Sequence, residues 1–102
     1  MNYNEAFHKT IQQSFDQYHK DNPHIYAYFC QYALDWIKSG AKKISSKQII
    51  GRIRWHLEVD VQGEEASKFK INDIYSAHYA RLFVTDFPEY EELLEFRHLR
   101  AA

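Results

Sequence analysis

The chain has 102 residues, 45% hydrophobic and 17% aromatic. That is enough for one compact domain with a single core, and too apolar for a disordered chain. Its net charge of −1 excludes a uniformly basic nucleic-acid binder, and its single cysteine, Cys30, excludes an internal disulfide. The longest nearly apolar stretch, 25–34, is interrupted by Gln31 and is too short to span a bilayer. No charged leader followed by an apolar core opens the chain, so no membrane partner and a cytoplasmic location are expected.

Tyr3, Phe7, Ile11, Phe15 and Tyr18 recur at steps of four and three, which predicts a first helix over about 3–19 with a narrow apolar stripe. Asn22-Pro23 restarts the chain with a cap and a proline at the first helical position. The second helix, about 23–39, is apolar almost all round and is the expected core helix. Gly40 ends it as a left-handed cap requires.

After the connector 41–44, Ser45 or Ser46 caps a third helix over about 46–57. Ile49, Ile50, Ile53 and Leu57 form its inner face. Gln48, Gly51 and Trp55 fall on the opposite side, with Lys47 and Arg54 along one edge and Arg52 along the other. From Leu57 the pattern alternates, and Gly63 to Ser67 supply turn residues. A short antiparallel hairpin is therefore expected at about 58–62 and 68–71. Asn72 or Asp73 caps a fourth helix over about 73–85. Asp86-Phe-Pro88 starts a fifth, running through Tyr90, Leu93, Leu94, Phe96 and Leu99. The expected fold is mainly α, with about five helices and one short β-hairpin, and it resembles a winged-helix or divergent helix-turn-helix domain. It divides into an N-terminal helix, 1–21, and a single helical domain, 22–100.

Residues 22–100 also resemble a family of small, uncharacterised proteins encoded in bacteriophages and prophages. The matching pieces are Asn22-Pro23, Ile50-Gly-Arg-Ile-Arg-Trp55, Phe69-Lys-Ile-Asn72, Tyr79-Ala-Arg-Leu-Phe83 and the run from Phe87-Pro88 to Phe96-Arg97. The resemblance implies a mobile-element origin and a bacterial host cell, and assigns no activity. The first 20 residues lie outside it, so helix one reads as an extension that suggests a homodimer.

No nucleophile motif or phosphate-cradling glycine loop is present, and no enzyme activity or cofactor is expected. Six histidines invite a metal search. None is spaced three or four residues from another within a predicted helix, which leaves a zinc site without a local framework. His56 and His78 read best as boundary or core histidines, and the carboxylates of 89–95 as a solvated face favoured by the helix dipole.

Charge is uneven along the chain. Residues 1–57 hold eight lysines and arginines against four acids, and 58–102 hold five against ten. The stretch 36–57 has six basic residues and no acid. One reading has Lys42, Lys43, Lys47, Arg52 and Arg54 contacting phosphates beside Trp55, in an accessory protein that binds nucleic acid through a local basic face. In a second, Trp55 is buried and Gly51 admits the neighbour that covers it. A third is a protein-interaction module, an inhibitor or adaptor of a host complex, using its tyrosines and acidic C-terminal half.

Overall fold

The computed structural model describes residues 3–60 and 71–95, with side chains over 10–60 and 71–94. Over these residues the protein is mainly helical. Helix α1 spans Tyr3–Asp21 and α2 spans Pro23–Lys38. Pro23 opens α2 as expected, but the Asn22 side chain does not cap it. Its Nδ2 donates to the Tyr18 carbonyl at 3.0 Å, closing α1 instead. Gly40 takes φ +96° and donates its N–H to the Ile37 carbonyl at 3.0 Å, the left-handed ending that a Cβ would strain.

Two extended residues, Ile44–Ser45 (β1), lead into α3, Ser46–Trp55. The Ser45 hydroxyl accepts from the Gln48 N–H at 3.4 Å, which fixes Ser45 as the cap, while Ser46 is buried.

The chain then departs from the expected hairpin. His56–Asp60 continue α3 as a π-helical turn, so the first strand does not form at 58–60. Leu57 joins the buried isoleucines, whereas Val59 is 45% exposed, so the alternation does not mark a half-buried strand. The Asp60 carboxylate folds back onto His56 and Arg52, which holds the helical path. The rest of the first strand and nearly all of the second, 61–70, lie outside the described residues. Ile71 is buried but belongs to no strand. The winged-helix comparison, which needs that hairpin, therefore has no such hairpin among the described residues.

Asn72 Oδ1 accepts from the Ile74 N–H at 3.1 Å and starts a 3-10 turn, Asp73–Tyr75, that runs into α4, Ser76–Asp86. Phe87, restricted by the proline after it, adopts φ −131° and ψ 67° and ends α4. The expected fifth helix is a 3-10 segment, Pro88–Leu93, that stops at Leu93. Leu94 turns extended, and Leu94–Glu95 (β2) pair in parallel with β1 in the register Ile44 to Leu94 and Ser45 to Glu95. Ile44 and Leu94 are both buried there, a long-range pairing that outcompetes further helix. Residues 96–99 lie outside the described residues.

Two packed groups make the core. Ile49, Ile50, Ile53 and Leu57 turn the inner face of α3 toward α2 and α4. Beside them stands an aromatic cluster centred on Tyr79. Phe15 meets its ring edge-on at 4.8 Å, Phe29 stacks at 5.8 Å, and Phe83 lies 6.0 Å from Phe29. Phe15 also stacks on His78 at 5.0 Å, and the Ser14 and Tyr75 hydroxyls are hydrogen-bonded. The second half of α1 is thus built into the core. In its second half the stripe that suggested a homodimer faces the chain's own core: Phe15 is buried in it and Tyr18 packs against it, while Ile11 is half-buried. No helix among the described residues is long and apolar enough to cross a membrane.

Candidate functional site

The outer face of α3 follows from its inner one. Four aliphatic side chains fix one side of the helix against the core, which turns Gln48, Gly51 and Trp55 outward. Trp55 is 60% exposed, so the indole is not packed inside. A Cβ built on Gly51 meets no atom within 4 Å. Among the described residues nothing therefore covers the glycine, and a gap in the side chains of the helix surface lies one helical turn from an exposed indole.

The five basic residues read as one face do not form a continuous cationic surface. Arg54 turns back onto the 71–73 segment: its Nη2 donates to the Ile71 carbonyl at 2.6 Å and meets Asp73 Oδ1 at 2.6 Å. Arg52 lies 4.6 Å over the Tyr32 ring and 3.7 Å from Asp60 Oδ2. Lys43 Nζ donates to the Glu92 carbonyl at 3.0 Å and has no acidic side-chain partner among the described residues. Lys42 and Lys47 are exposed and have no acidic partner among the described residues. The helix is consequently bipolar. Lys42, Lys43 and Lys47 surround its N-terminal end, whereas at its C-terminal end Asp60 and Asp73 meet the two arginines and Glu58 remains exposed and unpaired among the described residues.

The C-terminal end carries a cluster that helical spacing alone did not reveal. His56 Nδ1 lies 3.1 Å from the same Asp60 oxygen that faces Arg52, and its ring packs 4.9 Å from Tyr28 and 6.3 Å from Tyr32. Alongside runs an open groove of about 480 Å³ between α2 and α3, lined by Tyr32, Asp35, Trp36, Ser39, Gln48, Ile49 and Arg52. The spacing of Tyr32, Asp35, Trp36 and Ser39 as neighbours on one helical face was available in the sequence as a signal. Gln48 and Arg52 belong to both the groove and the Trp55 face, so the two surfaces are continuous.

The remaining candidates are structural. His78 is buried with Nδ1 3.3 Å from the Ile74 carbonyl. No group of three potential metal-ligating side chains occurs among the described residues. Burial pushes the Cys30 thiol above its ordinary value, and a carboxylate at Asp86 adds to this while the Tyr26 bond opposes it. No activated thiolate results. Among the described tyrosines none is fully exposed: Tyr75 and Tyr79 are buried, and Tyr18, Tyr26, Tyr28, Tyr32 and Tyr90 are half-buried. Tyr26 donates its hydroxyl proton to Asp86 Oδ2 at 2.5 Å. Burial first, and that bond second, hold the Tyr26 hydroxyl well above the usual tyrosine range. Glu89, Glu91 and Glu92 are exposed and give the 3-10 segment an acidic face.

With this geometry in hand, comparison with known proteins found no matching family model, no matching curated protein and no matching solved structure.

Proposed function

We propose that this chain is a non-enzymatic protein-interaction module, in the phage-type accessory setting that the motif resemblance implies, and that it docks a partner protein through the outer face of α3. The observation that carries the reading is Trp55, 60% exposed beside an open slot at Gly51. Exposed tryptophans that fit a pocket supply a large part of the energy of many protein interfaces. The bipolar charge of the helix supports a protein surface over a phosphate backbone, because Asp60 and Asp73 already face Arg52 and Arg54.

The test is affinity capture from a nuclease-treated bacterial lysate with the unaltered chain and with Trp55→Ala. A stoichiometric protein retained by the first and lost by the second is the expected result. Equal capture by both contradicts it.

A second reading, nucleic-acid binding, is favoured by Lys42, Lys43 and Lys47 at one end of the helix, which have no acidic partner among the described residues. It predicts binding to mixed DNA or RNA fragments that weakens steeply between low and moderate salt and is lost when the three lysines become alanine. Absence of binding at low salt removes it.

A further inference from the structure

We propose that a second copy of this chain occupies the outer face of α3, the two helices packing antiparallel about a two-fold axis that crosses the helix between Gly51 and Trp55. The proposal rests on the reading of this face as a protein-contact surface and names its occupant. Three observations lead to it. The face carries a knob, Trp55, and a hole at Gly51, where an added Cβ meets nothing within 4 Å. A two-fold axis between them sets the indole of each copy over the slot of the other, the self-complementarity that an isologous contact demands.

The charges obey the same symmetry. Lys47 lies one turn before Gly51 and Glu58 about one turn after Trp55, both exposed and neither paired among the described residues. Antiparallel packing carries Lys47 of each copy toward Glu58 of the other, whereas parallel packing sets lysine beside lysine and glutamate beside glutamate. Val59, 45% exposed, extends the apolar contact beyond the indole. Arg52 and Arg54 flank the face already held by Asp60 and Asp73, so their charges do not oppose the approach of a second copy.

One helix face against another lies at the small end of specific interfaces, so the dissociation constant is expected on the order of micromolar or weaker. The contact also explains a glycine in the middle of a helix. Gly51 destabilises the monomer but leaves room for the neighbouring indole.

The test is sedimentation equilibrium of the full chain over a wide concentration range, with thermal unfolding of each variant to confirm that it folds. The unaltered chain should show a reversible monomer–dimer equilibrium. Trp55→Ala should weaken it by about thirtyfold or more, the loss of one central anchor. Gly51→Gln should move two readouts in opposite directions: a higher unfolding temperature, because a better helix former replaces glycine, and dimerisation weakened about tenfold or more, because the slot is filled. Lys47→Glu should weaken association about fivefold, and the exchange Lys47→Glu with Glu58→Lys should restore it.

A chain that stays monomeric at every concentration overturns the proposal. So does a dimer indifferent to Trp55→Ala and Gly51→Gln, or a charge exchange that fails to restore association. If the chain is monomeric and Trp55→Ala still loses a captured protein, the occupant is wrong and the contact surface stands. If the dimer behaves as described and no other protein is captured, the dimer stands and the wider docking role falls.

Discussion

Tyr79 and Trp55 are both large aromatic side chains on helices of this chain, and their surroundings are opposite. Tyr79 is fully buried, with Phe15, Phe29, His19 and Tyr26 around it, so three helices meet at one ring. Trp55 stands mostly in solvent beside a glycine that no described residue covers. The comparison separates two uses of aromatic area. In the cluster it holds α1, α2 and α4 together, while on α3 it adds little to the fold and remains available for another molecule.

The largest expected effect lies on the buried side. Phe29→Ala removes a fully buried ring between Tyr79 and Phe83 and should cost about 3–5 kcal/mol in urea unfolding. A loss below 1 kcal/mol would mean that this cluster does not carry the fold.

Alkaline pH acts on the same region through several tyrosines at once. Burial, with neighbouring tyrosines or Asp86, raises the hydroxyls of Tyr18, Tyr26 and Tyr79 above their ordinary value. Their folded values lie above the unfolded one of about 10, so the fold favours the protonated form. That contribution is complete below about pH 10 and is lost as pH rises through the folded values. Urea midpoints should therefore fall above about pH 10, less steeply in Tyr26→Phe. A Tyr26→Phe chain with the unchanged slope would remove that hydroxyl from the account.

At the seam between the two regions, Arg54 ties α3 to the segment ahead of α4. Arg54→Ala should cost about 1–2 kcal/mol, more through the lost hydrogen bond to the Ile71 carbonyl than through the largely exposed Asp73 pair. A double-mutant cycle with Asp73→Ala measures the pair alone, with a coupling of about 1 kcal/mol or less expected.

On the exposed side the signs change. Gly51→Ala should stabilise the monomer by about 1 kcal/mol, since the added methyl meets nothing, and destabilisation would show that the slot is already filled. Trp55→Ala should leave monomer stability within about 0.5 kcal/mol, measured at a concentration too low for association. A larger loss would place the indole in the core.

What the sequence made legible follows the same division. Rules that act within one turn worked: Pro23 opens α2, Gly40 closes its end, Ser45 caps α3, and the isoleucine spacing fixes which side of α3 is buried. These signals are local because a cap or a left-handed residue needs only its neighbours. The expectation failed where two local patterns coincide or a distant residue decides. Val59 and Leu57 read as alternating, yet the same residues fit a continuing helix whose outer side is wet. Leu93 and Leu94 fit a helix until Ile44, fifty residues earlier, offers a strand partner. Arg52 and Arg54 read as free cations because nothing in the order of residues brings Asp60 and Asp73 back to them. The outward direction of Trp55 was legible from helical phase, but its exposure was not, since that depends on what the rest of the chain lays against it.

The most direct measurement is quenching of the Trp55 indole by acrylamide in a Trp36→Phe chain, read at low and at high protein concentration. The account predicts ready quenching in the dilute monomer and progressive protection as copies pair through α3. An indole already shielded at the lowest concentration, or one equally quenched at every concentration, would contradict it.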